Sequence, residues 1–272
     1  MFKEIKLDLV LGVVYGVVQG LTEFLPVSSS GHLALLPSML NFSDPGVAFD
    51  LWLHVGTALA IIVYFFKDLK PLVFELPNLF NRSHQSNSKN LLINLITATA
   101  ISFIFVVLFK FFSSEENRTP LNISINLIVF GLLMWLSDYL GKVRTGLGFT
   151  HLQIRNSLLI GIFQAIAVFP GVSRSGITLT IARYLGIPRQ EAANFSFILS
   201  LPIVIGGMAI KIPELIKSNS FDLSLMIVGL IVSFVVGILS IHFFLKVIKR
   251  LGLGIFCFYR IILAGVIMFY LI

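Results

Sequence analysis

The chain is short of almost everything a water-soluble domain uses to face water. Charged residues make up 12% of its 272 positions, where soluble domains carry about 25%. Cysteine occurs once, at Cys257 in an apolar run, which excludes an intramolecular disulfide and leaves the thiol as a membrane-buried bystander. Acidic residues number 13 against 20 Lys and Arg, for a formal net charge of +7. That balance alone would admit a nucleic-acid partner, but no basic face with interleaved aromatics is present to receive one. A cleavable leader is missing from the pattern as well. The first apolar run has no A-x-A-type site and passes straight into a polar motif, so it reads as part of the fold.

What is abundant is apolar: 57% of residues are hydrophobic. Runs long enough for a hydrocarbon core of roughly 30 Å recur along the chain. The fold class is therefore all-α and polytopic in a membrane. Six spans are expected, at Val47–Phe66, Leu91–Phe109, Leu121–Leu136, Ala193–Ile210, Leu223–Phe244 and Ile255–Ile272. Two further apolar stretches, Leu7–Leu40 and Leu158–Leu185, are interrupted by "LPVSSSGH" and "FPGVSRSG". Proline removes a backbone hydrogen bond and glycine favours interruption, so each reads as two half-helices joined at a polar tip. Such re-entrant backbone survives at membrane depth only when buried in protein or lining a wet cavity.

The connectors also predict sidedness. One set, which includes the loop Lys67–Asn90, carries twelve basic residues and the alternate set six. The richer set should be cytoplasmic, with both termini and the mouth of the first pair facing outward. The segment "NRSHQSNSKN" reads as a polar, mobile loop tip without chemistry.

Offsetting the chain by 145 residues lays "GVVQGLTEFLPVSSSG" on "GIFQAIAVFPGVSRSG" with seven identities in sixteen, from Gly16/Gly161 and Gln19/Gln164 to Ser28/Ser173, Ser30/Ser175 and Gly31/Gly176. Each copy precedes three spans, and an odd number of crossings inverts the second copy. This predicts one membrane domain, residues 1–272, built of two inverted repeats at about 1–140 and 141–272. In transporters such repeats bring broken-helix tips together near the midplane.

The tips offer Glu23, Ser28, Ser29, Ser30, Gly31 and His32 from one side, and Ser173, Arg174, Ser175 and Gly176 from the other. Arg174 inside a membrane requires a strong partner, and its planar fork suits phosphate or carboxylate. Each tip opens a half-helix whose free N–H groups favour an anion. Two such ends with Arg174 point to phosphate. Ser and His together suggest nucleophile and base, while Glu23 could bind metal, orient His32 or move protons. Gln19 and Glu23, four residues apart, share one helical face. A purely structural reading has serines as helix caps, Glu23–Arg174 as a buried pair and His32 as an interior donor. Asp50 and His54, four residues apart, are weaker candidates that could border the cavity or share a local hydrogen bond. Arg260 is placed to pair with carbonyls or a lipid head group. Asp138, His151 and His242, near span ends, are expected in solvated roles.

"QGLTEFLPVSSSGH" followed by "PGVSRSG", with "NFSFILSLP" after it, resembles undecaprenyl-pyrophosphate phosphatases of the bacitracin-resistance type over essentially the whole chain. The resemblance implies six spanning helices plus four re-entrant ones, a bacterial plasma-membrane location and homodimers. It implies removal of the terminal phosphate from the lipid pyrophosphate, which returns the monophosphate carrier to cell-wall peptidoglycan synthesis. Glu23, Ser29, His32 and Arg174 match the family's functional positions. Arg174 and the tip amides (Ser28, Ser30, Gly31, Ser173, Ser175, Gly176) would bind pyrophosphate, with Ser29 attacking and His32 as base, or His32 attacking directly. Many members have Glu where this chain has Gln19. A divalent cation, Mg²⁺ or Ca²⁺, held by Glu23 and Gln19 is thus expected to bind with one carboxylate where two are usual. Two other classes remain open: a lipid-phosphate flippase or transporter using the same repeat, and a different lipid phosphatase with a Ser-Gly-His tip.

Overall fold

A computed structural model describes residues 2–40, 42, 44–110, 119–143, 148–217 and 223–272, and regular structure among them is entirely helical. Both interrupted stretches are broken where the sequence places Pro and the serines. The first is α1 (Phe2–Thr22) and α2 (Ser29–Leu40). The expected first span becomes α3 (Val47–Tyr64), which breaks at Phe65 into α4 (Phe66–Glu75). Next come α5 (Asn87–Lys110) and α6 (Pro120–Leu140). The second interrupted stretch is α7 (Ile154–Gln164), a 3₁₀ turn at Ala165–Val168, and α8 (Arg174–Tyr184). The chain closes with α9 (Arg189–Lys217), α10 (Leu223–Leu251) and α11 (Gly254–Leu271).

Among the described residues five helices are long and apolar enough to cross a membrane, and the bent α3–α4 pair makes a sixth. The protein is thus a multi-pass, all-helical membrane protein. The bend, 85°, was not expected from the sequence. Lys67, Asp68 and Lys70 open α4, and charges so spaced cannot follow α3 into hydrocarbon. The following segment is not a free tip. Glu75 accepts from His84 (2.9 Å) and Ser86, and Lys89 Nζ donates to the carbonyl of His84 (3.0 Å).

Large apolar side chains lie on the surface as well as in the core, unlike the polar surface of a soluble bundle. Helix α10 shows why. Gly229, Ser233, Gly237 and Ser240 line its buried face, while Ile227, Ile231, Val235 and Leu239 are exposed. Lipid tails offer apolar side chains as good a home as the protein does, so small residues define the packed face. Helix α1 packs on α10 and, reciprocally, α7 on α5. Gly16 permits the first contact: a Cβ there would stand 2.8 Å from Gly229 O. Gly161 permits the second, where a Cβ would stand 2.5 Å from Ala98 O. A chain of aromatic contacts runs from Phe24 of the first tip through Phe197 and Phe244 to Phe256, with centroids 5.2–5.6 Å apart.

Asp138 departs from its expected solvated role. It is buried, accepting from Arg183 Nε (2.7 Å), Arg189 Nε (2.9 Å) and the Leu253 amide (3.0 Å). One carboxylate therefore ties α6 to α8, α9 and the start of α11.

Candidate active site

The tips are local solutions to the same backbone problem. Ser28 and Ser173 both sit at positive φ, 74° and 72°, just before α2 and α8. Non-glycine residues held there cost on the order of 1–3 kcal/mol each and concentrate at functional sites. Each serine then caps the helix it precedes. Ser28 Oγ accepts from the Gly31 amide (3.4 Å), and Ser173 Oγ from the Gly176 amide (3.1 Å). Each also reaches the serine two residues on, Ser30 at 3.4 Å and Ser175 at 3.3 Å. With the caps taken by Ser28 and Ser173, the first helical residues, Ser29 and Arg174, are left to point elsewhere.

Both point at Glu23. Ser29 Oγ donates to Glu23 Oε2 at 2.7 Å, and Arg174 Nη2 donates to Glu23 Oε1. The two tips also touch where Ser175 Oγ reaches Leu25 O (3.4 Å). Arg174 Nη1 is fixed by the carbonyl of Ser196 (3.0 Å), itself in the "NFSFILSLP" stretch of α9. Gln19 Nε2 reaches the same Glu23 Oε2 at 3.2 Å, and Thr57 at 3.4 Å.

His54 completes the ring. Its Nδ1 lies 2.7 Å from the carbonyl of Asp50, which can only accept, so Nδ1 carries a hydrogen. Its Nε2 lies 3.3 Å from Glu23 Oε2, so a proton must lie between the two atoms. The weak candidate of the sequence is thus in the site. Its signal, the four-residue spacing from Asp50, correctly predicted the local bond but could not reveal Glu23 across the bundle.

His32 is placed differently from the expected Ser29 base. Nδ1 donates to Ser28 O (2.8 Å), which leaves Nε2 to accept from the Tyr259 hydroxyl (2.8 Å), with the rings stacked. Ser29 bonds Glu23 and not His32. Arg260 pairs with carbonyls, those of Gly171 and Val172 (2.8 Å), as one of its two expected alternatives had it. Ser196, Thr57 and Tyr259 carried no signal in a single sequence beyond being polar in apolar runs.

Every contact of the structural reading is therefore present: capping serines, a buried Glu23–Arg174 pair, an interior His32. That reading leaves Ser29 and His54 unexplained. A hydroxyl held on a carboxylate between a guanidinium and two anion-favouring helix N-termini is equipped to give up its proton to that carboxylate and attack phosphorus.

The family model for the bacitracin resistance protein BacA matches residues 12–266. This chain belongs to the BacA family. Relatives lie at similar distance across bacteria. An undecaprenyl-diphosphatase of Alcanivorax borkumensis is 39% identical over 97% of this chain and 100% of its own length. An undecaprenyl-diphosphatase 2 of Stutzerimonas stutzeri is 39% identical over 96% of this chain and 98% of its own. An undecaprenyl-diphosphatase of Caldicellulosiruptor bescii is 39% identical over 96% and 97%. Within the BacA match fall both tips, His54, Tyr259 and Arg260.

Proposed function

We propose that the chain hydrolyses undecaprenyl pyrophosphate to undecaprenyl phosphate and inorganic phosphate, recycling the lipid carrier for cell-wall synthesis and thereby conferring bacitracin resistance. Membership of the BacA family and the names of its relatives support the substrate. The observation that carries the chemistry is the Ser29 hydroxyl donating to Glu23, whose other oxygen is held by Arg174 of the opposite tip.

The terminal phosphate enters between α2 and α8 and competes with Glu23 for Arg174. Once Arg174 turns to phosphate, Glu23 is no longer neutralised by it and accepts the Ser29 proton. Ser29 Oγ attacks phosphorus as the bond to the bridging oxygen breaks, and undecaprenyl phosphate leaves. Glu23 hands that proton to the departing phosphate oxygen. A carboxylate again, it takes one from the water that attacks the phosphoserine and passes it to Ser29 Oγ as inorganic phosphate departs. In this reading Glu23, and not His32, is the base for Ser29. His32, with Nε2 on Tyr259, borders the site as partner of the leaving group. Ser28, Ser30, Gly31, Ser173, Ser175 and Gly176 shape the amide cradles for the phosphates.

A divalent cation fits these residues only in company with substrate. Both Glu23 oxygens already accept from protein donors. No cluster of three His, Cys, Asp or Glu that could hold a metal occurs among the described residues. The open acceptor is Gln19 Oε1, buried and without a hydrogen-bond partner among the described residues. Gln19, Glu23 and pyrophosphate oxygens would together hold Mg²⁺ or Ca²⁺, which would neutralise phosphate charge.

We place the site in the bacterial plasma membrane, opening outward, in a protein that forms homodimers, following the family resemblance and the loop charges. A flippase is not favoured, because binding a head group requires no hydroxyl poised on a carboxylate. Phosphate release by purified protein in detergent, where no second compartment exists, tests the reading. Hydrolysis is expected, with metal dependence, and Gln19→Glu should lower the metal concentration for half-maximal rate. No release from wild type refutes the activity. Full rates after exhaustive chelation in both proteins refute the metal.

A further inference from the structure

Three arginines lie within the helical interior, and two face carboxylates: Arg174 meets Glu23 and Arg183 meets Asp138. The third, Arg260, is 0% exposed and has no carboxylate within ion-pair distance among the described residues. Its Nη2 serves two carbonyls, Gly171 O and Val172 O, while Nε and Nη1 have no hydrogen-bond partner among the described residues. A buried charge without a counter-charge is expensive. Two carbonyls could be satisfied by a neutral donor, so the charge itself requires an explanation.

Position supplies one. The carbonyls it holds belong to the two residues before Ser173, the cap of α8. Held by Arg260, both carbonyls fix the backbone that leads into α8. A Cβ at Gly176 would stand 3.2 Å from Nη1, so the unpartnered nitrogen lies against the first turn of α8. The stem packs against Gly131 of α6, where a Cβ would meet Arg260 Cβ and Cδ at an ordinary contact distance of 3.5 Å. The preceding residue, Tyr259, bonds His32 of the first tip (2.8 Å). Two adjacent residues of α11 thus brace both tips.

We propose that Arg260 is a positioning residue for the diphosphate. It is the permanent charge that the protein leaves unneutralised behind the second tip, and it acts through that tip's amides and field without touching the reacting atoms. At rest Arg174 is paired with Glu23, so Arg260 and the helix ends it braces add to the attraction that the proton held between Glu23 and His54 exerts on an incoming polyanion. A charge in a low-dielectric wall acts over longer range than one in water. The inference rests on the phosphatase reading for its substrate, but its anion-binding core can be tested apart from turnover.

The test uses the whole chain purified in detergent, as wild type, Arg260→Lys and Arg260→Gln. Three quantities are read: kcat, KM for undecaprenyl pyrophosphate, and the inhibition constant and thermal stabilisation given by inorganic pyrophosphate. Arg260→Gln should raise KM and the inhibition constant about tenfold or more with kcat within about threefold, because the chemistry at Ser29 is intact. Arg260→Lys keeps the charge and should hold the inhibition constant within about threefold of wild type, although lysine cannot clasp the carbonyls in the same fork. Equal losses in both variants, or a fall in kcat with unchanged pyrophosphate binding, overturn the proposal and leave a structural brace. If Arg260→Gln does not fold, the lysine variant decides: a tenfold weaker inhibition constant at wild-type melting temperature overturns it. A wild type that binds pyrophosphate yet releases no phosphate overturns the phosphatase reading and leaves this one standing.

Discussion

At Glu23 one carboxylate receives Gln19 from α1, Ser29 from α2, His54 from α3 and Arg174 from α8. Ser29 and Arg174 are equivalent positions under the 145-residue offset, each the first residue after a strained cap. The two copies thus place a hydroxyl and a cation on either side of the one acid that lies between them. Roles separate by kinetics. Ser29→Ala should abolish turnover with substrate binding kept, and near-normal activity would move the nucleophile to His32 or water. Arg174→Ala should lower kcat and raise KM together, because both the fork on phosphate and the switch at Glu23 are lost. His54→Ala should reduce kcat about 100-fold at similar KM, the order expected for a proton-handling group. A wild-type kcat in His54→Ala would leave His54 as a spectator of Glu23. His32→Ala should abolish turnover and keep binding; retained turnover would confine its pairing with Tyr259 to packing.

At the scale of elements, the breaks were legible because Pro26, Pro170 and Gly171 are local causes acting on their own backbone. The spans were legible for the same reason: length and apolar content are properties of one segment. The 85° turn into α4 was half legible, since the charges that cause it were visible but were counted as loop charges. The roles of His54, Asp138 and Tyr259 were not legible. Each depends on a partner in a different helix, and a single sequence carries no record of which helices meet. Asp138 makes the point measurable. It satisfies two guanidinium groups and a backbone amide at once, so removing it strands buried donors. Breaking a buried pair costs about 3–5 kcal/mol. Asp138→Ala should therefore lower the detergent melting temperature markedly, while Asp138→Glu retains part of it. An Asp138→Ala protein as stable as wild type would show that the arginines find water.

On the scale of the whole molecule, the arrangement turns on which ends of the helices share a side. Helix α3 is 18 residues long, and at 1.5 Å per residue it rises about 27 Å, close to the thickness of a hydrocarbon core. The short connector before it and the α4 region after it should then lie on opposite faces. The second is the basic one, with Lys67, Lys70, Arg82 and Lys89, and the charge rule predicts that it faces the cytoplasm. If the second repeat is inverted, the tips approach from opposite faces, which is how Arg174 and Glu23 come to meet from separate stretches of chain. The reciprocal packing of α1 on α10 and α7 on α5 is what a pseudo-two-fold axis in the membrane plane would produce. Single cysteines placed at Asp44 and at Arg82, in a chain whose buried Cys257 is replaced by serine, report the sides directly. An impermeant thiol reagent added to intact cells should label the Asp44 position and spare Arg82, and sealed inverted vesicles should reverse the pattern. Labelling of both from one face would mean that α3 does not cross, and the inverted relation between the tips would fall with it.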